Sequence, residues 1–243
     1  MSVFHFKKFD VQNSRSAMKV NTDGVLLGAY TRIDGSEKTI LDIGTGTGVI
    51  ALMLAQRLGN GPARHITGID IDPEAAAEAK ENFSNSEWAG ILSSENISLD
   101  GFASSSGETF DLIVSNPPYY DDSLTNPDTR KATARHTGAE GLSFREILEF
   151  SGRRLREGGK LYMVLPADQE RILMRYAATY GMRLCDILRI RTVERKSPSR
   201  IITGFIRTDS RNVTAEDRVL TLMKKGKYTD EYISLVKDFY LFA

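Results

Sequence analysis

Short apolar runs alternate with helix-periodic stretches from Thr39 onward. TILDI (39–43), HITGID (65–70) and FDLIVS (110–115) read as buried strands. VIALMLAQRL (49–58) is apolar all round and reads as a buried helix. DPEAAAEAKENFSNS (72–86) is a second helix, with Asp72 as N-cap and Pro73 at its first position. ISL (97–99) reads as a short third strand ending at Asp100. SFREILEFSGRRL (143–155) opens with Ser143 and Glu146 in capping-box spacing. GKLYMVLP (159–166) is the fifth strand and DQERILMRYAATYG (168–181) the helix after it. MRLCDILRIRT and RIITGFIRT then follow with only the polar VERKSPS between them, which reads as an antiparallel pair at a sheet edge.

This alternation predicts an α/β protein with a mostly parallel sheet and helices on both faces. Residues 1–38 form an N-terminal extension, in which FHFKKFDV reads as a small strand and TDGVLLGAY as a short helix capped by Thr22. Residues 39–208 are the expected core. Residues 209–243 are expected to pack on it as a tail, with YTDEYISLVKDFYLFA as an amphipathic helix whose aromatic face is buried. The whole chain, 1–243, reads as one domain.

Composition narrows the functional classes. Thirty-two basic residues balance 32 acidic ones, so the total charge calls for no polyanionic partner, although a local basic face remains compatible with it. The single cysteine, Cys185, excludes an internal disulfide and a cysteine-rich metal site, and three scattered histidines show no ligand spacing; no metal is expected. No apolar run approaches the ~18 residues of a membrane span. The start, MSVFHFKKFD, lacks the apolar stretch of a signal peptide. A cytoplasmic protein without a membrane partner is expected. The sequence assigns no oligomeric state.

Two strand ends carry the chemistry. The first strand runs into DIGTGTG, where Gly44, Gly46 and Gly48 alternate just before a helix. Glycines let such a turn adopt positive φ and let a ligand approach the backbone, beside the free N–H groups of the helix start. The spacing is not the G-x-G-x-x-G of dinucleotide binders. Asp42 ahead of it would repel a pyrophosphate but suit an ammonium group. Asp70 ends the second strand, 22 residues after Gly48, where a carboxylate can accept from both hydroxyls of a ribose. Ile71 can wall an adenine, and Asp100, before Gly101, can accept from its amino group. The turn resembles that of class I methyltransferases, which implies S-adenosylmethionine as the cofactor and Asp42, Gly44, Thr45, Gly46, Asp70, Ile71, Asp100 and Gly101 around it.

The fourth strand ends in Asn116-Pro117-Pro118-Tyr119. The amine of an aromatic base is a poor nucleophile, because its lone pair is delocalised. Two acceptors on its hydrogens, the Asn116 side-chain oxygen and the Pro117 carbonyl held by Pro118, favour a pyramidal nitrogen. The Tyr119 ring can stack on the base. This stretch resembles the NPPY motif of amino-group methyltransferases, which act on adenine N6, on guanine N2 with a variant motif, or on the glutamine amide of release factors. The resemblance implies a Rossmann-like class I fold with a seven-stranded sheet and an antiparallel edge strand.

FDVQNSRSAMKVNTDGVLLGAY (9–30) and the tail YTDEYISLVKDFYLFA (228–243) resemble the bacterial tRNA1(Val) adenine-N6 methyltransferase family along essentially the whole chain. That resemblance implies methylation of the adenine 3′ of the anticodon, adenine 37, with tRNA presenting its anticodon loop as the partner. Lys19, Thr22 and Asp23 would then close over the methionine end of the cofactor. Local basic clusters make Arg135, Arg195, Lys196 and Arg200 the candidate RNA contacts, Tyr120 is a candidate wall of the target pocket opposite Tyr119, and the loop 120–140 is expected to order over the RNA. A glutamine-N5 protein methyltransferase shares the motif, but such enzymes normally carry a separate helical domain, and 38 residues precede the first strand here. A nicotinamide-dependent oxidoreductase fits neither the glycine spacing nor NPPY.

Overall fold

The computed structural model describes residues 2–61, 64–119, 142–210 and 212–243. A small hairpin, β1 (Val3–His5) with β2 (Asp10–Gln12), leads to α1 (Thr22–Tyr30). The cap of α1 is Asn21, whose side chain accepts from the Gly24 amide, so Thr22 is its first helical residue rather than its cap. The core then alternates: β3 (Thr39–Ile43), α2 (Val49–Leu58), β4 (His65–Asp70), α3 (Pro73–Ser84), β5 (Leu92–Asn96), α4 (Leu99–Ser105) and β6 (Phe110–Ser115). After the loop come α5 (Phe144–Arg154), β7 (Leu155–Pro166), α6 (Glu170–Thr179), β8 (Met182–Val193) and β9 (Arg200–Arg207). The chain closes with β10 (Glu216–Lys224), β11 (Lys227–Tyr228) and α7 (Asp230–Val236).

The described strands from β3 on form one sheet in the order β11-β10-β8-β9-β7-β6-β3-β4-β5. Strands β3 to β7 run parallel, and β9 runs against both β7 and β8. The sheet therefore has nine strands rather than seven, and its main antiparallel strand is internal, because β10 adds in parallel outside β8. The pattern hid β10: its first four residues are exposed and charged or flanked by charge, and only Leu220 and Thr221 are buried. The order reverses between β3 and β6, and ligands of open α/β sheets bind at such a switch point.

The third strand of the core is Leu92–Asn96, not 97–99. Its residues LSSEN pair with β4 at the sheet's polar edge, so alternation is weak. The ISL segment instead supplies a helix start, with Ser98 as the cap of α4. Asp100 and Gly101 therefore lie in the first turn of a helix rather than at a strand end.

One sheet face is covered by α1, α2, α3, the N-terminal hairpin and the tail, including Phe6, Leu26, Met53, Phe83, Tyr232 and Phe239. The other is covered by α4, α5 and α6 around Phe102, Phe110, Ile147 and Leu173. The tail helix is shorter than the pattern suggested, and its aromatics divide: Tyr232 in the helix and Phe239 and Tyr240 after it are buried, while Tyr228 and Phe242 are exposed. No helix among the described residues is long and apolar enough to cross a membrane.

Candidate active site

The glycine turn owes its shape to main-chain bonding. Gly44, Gly46 and Gly48 take φ of 71°, 55° and 81°, a region that L side chains rarely adopt. The amides of Gly44 and Thr45 donate to the Ile69 carbonyl at 2.9 and 3.0 Å, tying the turn to β4. Gly48 also meets a packing demand. A Cβ there would lie 2.4 Å from the Phe83 ring of α3, which seats α2 against α3.

Asp70 stands at the mouth of this turn. Its Oδ2 accepts from the Gly46 amide at 2.9 Å and its Oδ1 from the Asp72 amide at 3.0 Å. Each oxygen keeps a further lone pair that can accept a hydroxyl. Burial raises the carboxyl above its ordinary value, while these two amides pull it down. Asp42 is placed differently. It is fully buried beneath the turn, accepts from the Thr45 hydroxyl at 2.8 Å, and does not line the cavity. Burial pushes its carboxyl up to about 7.

A cavity of about 660 Å³ opens over the turn. That size suits a nucleoside-bearing small molecule. Gly44, Thr45, Gly46, Asp70, Ile71 and Asp100 line it. Ile71 is 62% exposed at its rim, an apolar wall open to a ligand. Asn116 and Pro118 reach the same cavity. Thr22, Asp23, Gly101, Pro117 and Tyr119 do not line it, nor do Arg195 and Lys196, which are exposed in the turn after β8. Tyr120 and Arg135, with the loop 120–140, fall outside the described residues.

Sequence reasoning missed several walls. Ser16, Ala17 and Met18 cover the turn from the N-terminal segment, and Leu99 and Leu142 add apolar surface. The segment is pinned by Glu78, whose carboxylate accepts from the amides of Ser14, Arg15 and Ser16 at 2.7 to 2.9 Å. Asn82, one turn on, accepts from the Gln12 amide and donates to the Thr47 carbonyl. The available signal was polar residues on the inward face of α3, where alanines surround them.

The tip of β6 is set beside the turn by strand pairing. Ser115 lies opposite Ile43 and its hydroxyl donates to the Ile43 carbonyl at 2.8 Å. Asn116, 7% exposed, donates from Nδ2 to Met18 Sδ at 3.6 Å. The Tyr119 hydroxyl is 3.0 Å from both Asn116 Oδ1 and Asp23 Oδ2. Arg200, the first residue of β9, donates through Nε to Asp23 Oδ2 at 2.9 Å, and its guanidinium lies 4.8 Å from the Tyr119 ring centroid. Such a cation–π contact contributes about 0.5–1 kcal/mol at a partly exposed site. Arg200 and Asp23, expected at the RNA and at the cofactor, thus meet each other at Tyr119.

The glycine turn and, from the tip of β6, Asn116 and Pro118 therefore open on one cavity, an arrangement that suits group transfer from a nucleoside cofactor to a planar amine. Residues 23–175 match the methyltransferase small domain family. The chain is 39% identical to a tRNA1(Val) (adenine(37)-N6)-methyltransferase of Actinobacillus succinogenes over 98% of this chain and 97% of that one. It is 38% identical to one of Bacteroides fragilis, again over 98% and 97%. The chain belongs to this methyltransferase family. Among solved structures it resembles a protein of Agrobacterium tumefaciens described as a predicted O-methyltransferase, with a TM-score of 0.64 and 16% identity over 89% of this chain and 96% of that one. At that identity the likeness concerns the fold, and it agrees with the class I sheet of the methyltransferase family seen here.

Proposed function

We propose that the protein methylates the exocyclic N6 amine of adenine 37 in the anticodon loop of tRNA1(Val), using S-adenosylmethionine. The observation that carries this reading is the shared cavity: Gly44, Gly46 and Asp70 line one part of it, and Asn116 and Pro118 another.

The residues present fit such a cofactor. Asp70 has lone pairs for the ribose hydroxyls, Ile71 and Leu99 offer apolar faces for the adenine, and Asp100 can accept from its amino group. Gly44, Thr45 and Gly46 leave the backbone open to the methionyl part, with Ser16 to Lys19 across from them. S-adenosylmethionine supplies an electrophilic sulfonium methyl, so the protein's task is chiefly alignment, worth up to ~7–11 kcal/mol when reacting atoms are held ~3–3.5 Å apart. Asn116 Oδ1 and the Pro117 carbonyl accept from the target amine and turn its lone pair toward the methyl. Tyr119 stacks on the adenine, a contact worth about 1–3 kcal/mol. An anticodon loop presents unpaired bases, so no duplex need be opened. Arg195 and Lys196, exposed in the turn after β8, are assigned to the RNA. The chain acts as one catalytic unit in the cytoplasm.

The test is methyl transfer from labelled S-adenosylmethionine to unmodified tRNA, followed by digestion to nucleosides. Labelled N6-methyladenosine that disappears in Asn116→Ala supports the reading, and label confined to the anticodon-loop fragment of a nuclease digest places it at position 37. Label in a release factor and none in tRNA would replace it with glutamine-N5 methylation.

A further inference from the structure

Asp23 lies outside the cavity, yet it is the residue on which the target side turns. The Tyr119 hydroxyl has one proton and two acceptors at the same distance: Asp23 Oδ2 and Asn116 Oδ1, each at 3.0 Å. A charged acceptor makes the stronger bond, so the proton goes to the carboxylate. Arg200 fixes that carboxylate through Nε at 2.9 Å, and the same guanidinium covers the tyrosine ring. Burial, and then the Asp23 charge, push the Tyr119 phenol well above its ordinary value, so the hydroxyl remains a donor. Asn116 Nδ2 is engaged by Met18 Sδ, which orients the amide with its oxygen toward the tyrosine.

We propose that Asp23, braced by Arg200, is a positioning residue that draws the Tyr119 proton away from Asn116 Oδ1 and so keeps that oxygen free to accept from the target amine. This rests on the amine-methyltransferase reading above. Without Asp23, the tyrosine hydroxyl donates to Asn116 and the incoming amine meets an acceptor already in use. Removing the hydroxyl as well removes the competitor. The proposal therefore makes an unusual demand: the second lesion must repair the first.

The experiment measures kcat and the affinities for tRNA and S-adenosylhomocysteine in Asp23→Ala, Tyr119→Phe and the double variant. Competition for one hydrogen bond predicts that Asp23→Ala loses ~30-fold in kcat while both affinities stay within about threefold. Tyr119→Phe alone loses a few-fold, because its ring stays. The double variant returns to about the Tyr119→Phe level, roughly tenfold above Asp23→Ala. A double variant as poor as Asp23→Ala, or poorer, overturns the proposal, since a merely structural Asp23 would not be rescued. Arg200→Gln should lower kcat and leave the salt dependence of tRNA binding intact. A salt slope reduced by about one with kcat unchanged would make Arg200 a phosphate ligand and overturn its bracing role.

A substrate-free measurement separates this proposal from the function it rests on. The Asn116 side-chain amide, identified in a 15N-labelled sample by its absence in Asn116→Ala, should shift in Asp23→Ala and return in the double variant. If the wild-type protein methylates no tRNA, the functional reading falls while this pattern still decides the placement of the proton. An amide unmoved by Asp23→Ala overturns the proposal.

Discussion

The two halves of the cavity are held by different means. On the cofactor side the main chain does most of the holding. Amides of the glycine turn reach Ile69 and Asp70, and the N-terminal cover hangs by its amides from Glu78. On the target side, side chains hold one another: Asn116 on Met18, Tyr119 on Asp23, Asp23 on Arg200. Main-chain contacts are bound up with the fold, so disturbing them should alter stability and affinity together. Side-chain contacts can be removed with the backbone left in place, so disturbing them should alter turnover first.

The largest effect should come from the target side. Asn116→Ala should lower kcat by ~10²–10³, the usual loss when one aligned hydrogen-bonding group at a reacting centre is removed. Its affinity for S-adenosylhomocysteine, read by calorimetry, should change less than about fivefold. Equal losses in affinity and turnover would erase the distinction between the halves.

Next is Gly48→Ala, on the cofactor side. The new methyl would press into Phe83 at 2.4 Å and force a positive φ on alanine. Strain and overpacking of this sort cost about 2–4 kcal/mol. A denaturant melt should register that loss, and cofactor affinity should fall with it. Asp70→Ala should weaken cofactor binding by ~10–100-fold, since hydrogen bonds to a charged group contribute about 1.5–3 kcal/mol. At saturating cofactor its kcat should remain within a few-fold of wild type.

The same contrast decides what could be read from the chain. DIGTGTG and FDLIVS-NPPY were legible because each joins an apolar run to residues with narrow backbone roles. Ser143 and Glu146 likewise announced their helix, and the capping box is present. Three other features carry little local pattern. LSSEN pairs at a polar edge, so its apolar pattern is weaker than that of ISL. EDRVLTLMK is half exposed on a parallel strand whose partner lies about 30 residues back, as Arg218 against Leu188 shows. The Asp23–Arg200 pair joins residues far apart in sequence, and each alone resembled an ordinary cap or a surface charge. Roles made by the backbone were visible in composition and spacing. Roles made by side chains meeting across the fold were not.

The smallest effect sharpens the comparison from within the cofactor side. Asp42 is buried under the turn, and the hydrogen bonding it receives from the Thr45 hydroxyl and the Ala51 amide does not offset the loss of water. Its carboxyl is therefore raised from 3.8 to about 7 in the folded protein. Between these values the folded state holds a proton that the unfolded chain has released. Stability contributed by this group must then fall as pH rises from about 4 to about 7, and level off above. Asp42→Asn keeps an oxygen for Thr45 and never ionises. It should match the wild type near pH 5 within about 1 kcal/mol and exceed it at pH 8 by ~1–3 kcal/mol, given 1.36 kcal/mol per pKa unit. Urea melts at the two pH values measure this difference directly. A gap that shrinks toward pH 8 would mean that the carboxylate is favoured where it lies, and that the acid under the glycine turn serves the ligand rather than the turn.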